Sequence, residues 1–299
     1  HVGEGLYNIA FSGDIKYERT WLFNPAINRF PRLEAIFLES TYGGREDFQP
    51  SRKEATERLN DIIQTTVKRK GKLLVPVFAV GRSQEVMIVL ENLVRTKKIP
   101  KINVYLDGMI WEATAIHTAY PEYLNNRLRA QVFQKGENPL LSDIFKRVDG
   151  HEMRQKIIND HPESCVVLAT SGMMNGGPVM EYFKEWASDK KNTIAFVGYQ
   201  AEGTLGKRIQ KGWEEIPLNT GGNVINIKMN MQVETCDGFS GHSDRKQLMN
   251  YINNMSPRPE RIIFGHGEES KCLDIASSVH RRYNVNTNAM NNLETIRFR

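Results

Sequence analysis

The chain has 299 residues, 40% apolar and 25% charged, which is ordinary globular composition with material for one large domain or two of usual size. No stretch approaches the roughly 20 apolar residues that span a bilayer, and no secretory signal is evident. Three distant cysteines exclude a disulfide framework and a cysteine zinc site and point to a reducing, cytoplasmic setting, while a net charge of +5 suits a polyanionic partner without requiring one.

Leu6 to Phe11 reads as a short apolar strand running into Ser12-Gly13-Asp14, and Ala35 to Leu38 as another, ending in Glu39-Ser40-Thr41. Residues 51–69 read as a helix that Ser51 can cap, with Ala55, Leu59, Ile62, Ile63 and Val67 near one face. Strand 73–80, helix 83–95, strand 102–106, helices near 109–132, strand 165–170, helix 178–187 and strand 193–198 follow. Residues 223–235 alternate, with Ile225, Ile227, Met229, Met231 and Val233 on one side, as in a strand or hairpin. Strand 261–264, helix 268–282 and a tail strand near 294–298 close the chain. The alternation implies an α/β fold with a largely parallel sheet in the middle.

Three glycine-bearing segments follow strands: Val80 to Glu85, Thr170 to Pro178, and Gly198 to Thr204. Each is a turn that any α/β fold needs, and each also has the small residues and free backbone N–H groups that bind phosphate at a helix start. Asp14 follows a strand and a glycine, where a carboxylate can face two cations or simply complete a turn. Glu39 ends a buried strand and either faces a site or serves the turn at Thr41. His242 lies in Phe239-Ser240-Gly241-His242-Ser243-Asp244, and His266 ends the run Ile262-Ile263-Phe264 within Gly265-His266-Gly267. Two imidazoles held by rigid elements with little bulk around them, together with two acids beside turns, read as a dispersed hydrolase site. His117, His151, His161 and His280 have no motif around them and read as surface or packing residues.

Ser12-Gly13-Asp14, Leu38 to Gly43, Ser240 to Asp244 and Phe264 to Glu268 resemble the later motifs of the β-CASP branch of the metallo-β-lactamase superfamily. The opening Gly3 to Asn8, the loop Val80 to Glu85 and the closing Leu293 to Arg299 are most similar to archaeal cleavage-and-polyadenylation-specificity-factor-like ribonucleases. The resemblance implies an incomplete metallo-β-lactamase αββα fold in residues 1–42 and 239–299, with an inserted β-CASP domain of parallel sheet and helices in 43–238. It implies that Asp14 bridges two zinc ions and His266 binds zinc, that His242 protonates the leaving oxygen, and that Glu39 pairs with His242. It further implies that Arg82, Ser171, Gly172 and Ser240 approach substrate phosphates, and that the substrate is RNA. Relatives dimerise through the C-terminal tail, so residues 293–299 are expected to form a homodimer edge, and RNA polymerase is a possible partner.

The chain departs from the family in two respects. Its seven histidines form no His-x-His-x-Asp-His motif, and His1 is expected to be no ligand. No KH domain is recognisable. The expectation is therefore a C-terminal portion of a longer protein that by itself binds zinc weakly and cleaves nothing, since catalytic zinc takes about three protein ligands. The competing readings are a non-catalytic RNA-binding scaffold and a nucleotide-binding doubly wound domain. The latter lacks both a Gly-x-Gly-x-x-Gly and a Walker loop.

Overall fold

The computed structural model describes residues 5–161, 163–220 and 223–298. His1, and Gly3, Glu4 and Arg299 of the quoted motifs, lie outside the described residues. In chain order the elements begin with β1 (Ile9–Phe11), β2 (Ala35–Glu39), α1 (Arg52–Lys68), β3 (Leu73–Pro76), α2 (Arg82–Arg95), β4 (Val104–Asp107) and α3 (Ile110–Ala119). They continue with α4 (Asn126–Lys135), β5 (Phe145–Arg147), α5 (Gly150–Asn159), β6 (Val166–Ala169), α6 (Val179–Trp186), β7 (Thr193–Phe196) and α7 (Leu205–Gln210). The remainder are β8 (Glu215–Thr220), β9 (Asn223–Lys228), β10 (Gln232–Thr235), α8 (Arg245–Asn254), β11 (Arg261–Gly265), α9 (Glu269–Tyr283) and β12 (Asn286–Ala289). The fold is mixed α/β with parallel sheets, and it divides into two compact units.

The first unit comprises His1–Thr20, Asn24–Gln49 and Gly241–Arg299. Its sheet has the order β1-β2-β11-β12, and every pair is parallel. Ile36 and Leu38 of β2 lie opposite Ile262 and Phe264 of β11. They pack with Leu248 and Ile252 of α8 and Ile275 and Val279 of α9 into one core. All four strands therefore end on the same edge, and that edge carries the site.

The second unit comprises Trp21–Phe23 and Pro50–Ser240. Its large sheet has six strands in the order β10-β7-β3-β6-β4-β5, all parallel. Both faces are covered, so its central strands are continuous apolar runs. Leu73, Val75, Val104, Leu106, Val166 and Leu168 face α1 and α2, where they meet Leu59, Ile63 and Leu90. The intervening Leu74, Tyr105, Val167, Ile194 and Phe196 face Ile157, Tyr182, Phe183 and Trp186 on the other side. Each such side chain contributes about 1.5–3 kcal/mol by leaving water. Ser51 caps α1 as expected, with Glu54 completing a capping box: Glu54 N–H donates to Ser51 Oγ (3.3 Å) and Ser51 N–H to Glu54 Oε2 (2.7 Å). All three cysteines are unpaired and buried, and burial pushes the Cys165 and Cys236 thiols up to about 12.

Several sequence expectations are corrected. Strand 73–80 stops at Pro76, because Phe78 and Val80 leave the core and Gly81 turns the chain with φ +79°. The alternating run 223–235 belongs to two sheets: β9 pairs antiparallel with β8, whereas β10 joins β7 at the edge of the large sheet. Ile227 and Met231 are buried while Ile225 and Val233 are exposed, so the run has no single buried face. The tail near 294–298 is not a strand. Side chains hold it instead: the Phe298 ring lies 5.5 Å from Tyr7 and beneath the Arg261 guanidinium at 5.4 Å. The edge strand on the β11 side is β12, whose Asn286-Thr287-Asn288-Ala289 has no apolar alternation and is held by backbone pairing with β11.

Candidate metal centre

Each prominent side chain of the site is placed by the carboxyl end of a strand or by a tied loop. After β1, Ser12 N–H donates to the Phe37 carbonyl (2.9 Å), and Gly13 takes φ +53°, which turns the chain at Asp14. Glu39 is the last residue of β2. His266 follows β11 in the left-handed region at φ +52°, between two glycines. A Cβ on Gly267 would stand 2.5 Å from the Ser40 carbonyl oxygen, so only glycine lets the two connections lie this close. His242 sits in the loop before α8, and Ser243 moors that loop. Ser243 N–H and Oγ both donate to the Ile15 carbonyl (2.7 and 2.8 Å), and Tyr17 N–H donates to Ser243 Oγ (2.8 Å). Lys16 Nζ donates to the His242 carbonyl (3.1 Å).

The structure brings Asp14, Glu39, His242 and His266 together. Their ligand atoms all lie within 4.8 Å of one another. The Glu39 side chain is 1% exposed and saturated with donors. Its Oε1 accepts from Ile15 N–H (2.7 Å), and its Oε2 lies 2.7 Å from His242 Nδ1 and accepts from Thr41 Oγ1 (2.7 Å). His266 Nδ1 stands 3.6 Å from Asp14 Oδ1 and 3.9 Å from Glu39 Oε2, and His242 Nδ1 stands 4.0 Å from Asp14 Oδ1. Asp14 and His266 are open to solvent, at 64% and 58% exposure, whereas His242 is 21% exposed. The buried acid is thus a support, and the open acid and imidazole face the outside. With a carboxylate at Nδ1, the network assigns the His242 proton to that nitrogen.

Two carboxylates and two imidazoles at this spacing are a donor set that suits zinc, which accepts nitrogen and carboxylate oxygen in tetrahedral sites. Glu39 and His242 engage one another, whereas Asp14 and His266 face solvent. Cys272 stands behind the His266 loop, where burial pushes its thiol up and keeps it neutral.

Thr41 has more than the turn role that sequence reading allowed it. Its hydroxyl lies 3.3 Å from His242 Nδ1 and 3.4 Å from His266 Nδ1, besides its bond to Glu39. Its two histidine partners are more than 200 positions away in the chain, so nothing local announces those contacts. The other four histidines among the described residues are engaged elsewhere: His117 with the Ala113 carbonyl (2.7 Å), His161 with that of Glu163 (2.9 Å), His280 with that of Val285 (2.9 Å), and His151 with Glu181 (3.2 Å).

Arg82, Ser171, Gly172 and Ser240 belong to the second unit. Arg82 opens α2 and pairs with the buried Glu85. Ser171 Oγ accepts from Asn175 N–H (3.1 Å), and Ser240 is buried. Gly172 lies against Phe78, and its carbonyl accepts from Gln200 Nε2 (2.9 Å). The loops after β3, β6 and β7 therefore meet at the carboxyl edge of the large sheet, where open α/β sheets bind ligands. Gln200 is the tie between them, which sequence reading did not single out. Among the described residues, no helix is long and apolar enough to cross a membrane.

Residues 83–209 match the Beta-Casp domain, and residues 226–290 match the Zn-dependent metallo-hydrolase RNA specificity domain. The chain is 59% identical over 298 residues to a Methanosarcina mazei protein named transcription termination factor FttA, a match covering 99% of this chain and 47% of that protein. It is 55% identical over 300 residues to the protein of the same name in Thermococcus kodakarensis, covering 100% of this chain and 46% of the other. A Lokiarchaeum protein of that name is 45% identical over 297 residues, with 99% and 46% covered. The chain spans about half the length of the curated relatives it matches.

Proposed function

Because the chain belongs to the family of proteins that carry a Beta-Casp domain and a Zn-dependent metallo-hydrolase RNA specificity domain, we propose that it serves zinc-dependent hydrolysis of RNA phosphodiesters by a two-metal mechanism. The biological setting is RNA 3′-end processing and transcription termination, the latter being the role printed in the relatives' name. One observation carries this reading. Acids and imidazoles from four separate segments converge within 4.8 Å, and the buried acid among them is paired to a histidine.

Asp14 and His266 would hold zinc in this proposal. Bound zinc supplies a water of lowered pKa and a positive clamp on the attacked phosphate. His242 is the general acid. Glu39 engages Nδ1, and Nε2 delivers a proton to the departing 3′ oxygen. Glu39 sets the angle and tautomer of that ring, and Thr41 steadies Glu39. Water adds to phosphorus as the bond to the 3′ oxygen breaks, which leaves a 5′-phosphate and a 3′-hydroxyl. Arg82, Ser171, Gly172 and Ser240 approach the substrate phosphates. Residues 1–42 and 239–299 form the metallo-β-lactamase part, and 43–238 form the β-CASP part. RNA, a second copy joined through residues 293–299, and RNA polymerase are the proposed partners.

Catalytic zinc takes about three protein ligands per ion, and Asp14 and His266 supply two. Calorimetric zinc titration of this chain is therefore expected to show weak binding, with no RNA cleavage. Tight uptake of two ions would overturn the donor assignment. In a protein of the relatives' full length, His242→Ala is expected to slow RNA cleavage about 10²–10⁴-fold while RNA binding is retained. Unchanged cleavage would remove the general-acid role.

A further inference from the structure

The first unit's sheet sets four carboxyl ends in a row. β1 leads to Asp14, β2 to Glu39 and Thr41, and β11 to His266; β12 leads to Met290, Asn291 and Asn292. The chemistry proposed above uses the first three ends and leaves the fourth unassigned. Beside His266 lies a cavity of about 320 Å³, bounded by the first turn of α9 and the loop after β12. Its lining includes the apolar side chains of Leu273, Ala289 and Met290, together with Asn291, Asn292 and Glu269. Leu273 is apolar yet 53% exposed.

We propose that this cavity receives the nucleobase of the nucleotide adjoining the cleaved bond, an inference that rests on the RNA reading above. Ligands of parallel α/β sheets lie outside the carboxyl ends of the strands. The metal-facing His266 itself lines the cavity, and neighbouring strands stand about 4.8 Å apart, so the far wall after β12 lies within the span of one nucleotide. Its volume is at the small end of the roughly 300–1,000 Å³ of small-molecule sites, which suits one base and its sugar and not a stacked pair. Single-stranded RNA is recognised by splaying bases out, packing their faces and reading their edges. Leu273 and Met290 supply the packing surface. Asn291 sits in a built turn: its N–H donates to Glu294 Oε2 (2.9 Å), and its carbonyl accepts from Glu294 N–H (3.2 Å). The backbone of the turn is thereby fastened, and the exposed amides of Asn291 and Asn292 are available. An asparagine amide presents a donor beside an acceptor, the pattern that pairs with adenine on two points. Glu269 makes the rim acidic, which favours a neutral base over a phosphate.

The test follows the side-chain amide resonances of Asn291 and Asn292 in the 299-residue chain during addition of adenosine 5′-monophosphate. The nucleotide is expected to move both amides and ribose 5-phosphate to move neither. Leu273→Asp is expected to weaken nucleotide binding roughly tenfold, the cost of one lost apolar contact. Asn292→Ala, at an exposed position, is expected to remove the preference for the adenosine over the uridine nucleotide. An equal response to ribose 5-phosphate, or amides unmoved at saturating nucleotide, overturns the proposal. The readout needs neither zinc nor turnover. Failure of the ribonuclease reading therefore shows as absent cleavage by a protein of the relatives' full length with the amide shifts of this chain intact, and failure of the cavity as unmoved amides in this chain with cleavage by the longer protein intact.

Discussion

The hydroxyl of Thr41 has one proton and several acceptors near it, and the shortest contact, 2.7 Å to Glu39 Oε2, marks where the proton goes. Thr41→Val removes a hydrogen bond to a buried carboxylate and is expected to cost about 1.5–3 kcal/mol, read as a lower urea midpoint. Thr41→Ser keeps the hydroxyl and is expected to recover most of that loss. A valine variant as stable as the parent would show that Glu39 is held by His242 and Ile15 alone. Glu34, in the same unit, tests charge against pH. The Asn8 N–H donates to its Oε2 at 2.6 Å, and this bond, helped by the neighbouring Arg32, holds the carboxyl below its ordinary range. The folded pKa is thus lower than the unfolded one. The stabilisation is present above the unfolded value, about 4.3, and is lost as pH falls through the folded value. Glu34→Gln is expected to melt below the parent near neutral pH, with the gap closing below about pH 4. A gap constant across the acid range would contradict the assignment.

Among the elements, the β11–α9 connection decides where His266 stands. Gly267→Ala would put a methyl group 2.5 Å from the Ser40 oxygen and 2.7 Å from its carbonyl carbon, both backbone atoms that cannot rotate aside. The expected cost is about 1–3 kcal/mol, accompanied by movement of the His266 imidazole, visible as a displaced ring resonance. An unmoved ring in a fully stable variant would mean that β2 and β11 tolerate a wider spacing. Element legibility divided along similar lines. The Ser51 cap of α1 was readable because it stands just before the first periodic apolar residues, whereas its capping-box partner Glu54 was not singled out. Asp244 and Gln247 form the same device at the start of α8, yet that helix was missed beside the histidine motif. The edge strand β12 offered no pattern at all, because its polar side chains contribute nothing to a core and its place depends on Ile262 and Phe264 alongside.

For the whole molecule, each unit has a core of its own. The six strands of the large sheet and the helices on both its faces fall within residues 50–240. That segment expressed alone is expected to unfold cooperatively by circular dichroism, though less stably than within the chain. It lacks Trp21, whose ring stacks on Phe239 at 4.5 Å, and the buried Leu22. A gradual, non-cooperative melt would show that the second unit does not fold by itself. The sequence alone determined the α/β class, most of the helices and the strands with apolar runs, and the turn settings of Asp14, Glu39, His242 and His266. These depend on periodicity, caps and glycines, which act between residues a few positions apart. The tertiary structure decided which strands neighbour one another, that 223–235 is split between two sheets, that Thr41 reaches both histidines, and that a cavity opens beside His266. Those outcomes depend on contacts between segments up to about 230 residues apart, such as Ser243 with Ile15, and such contacts leave no periodic trace along the chain.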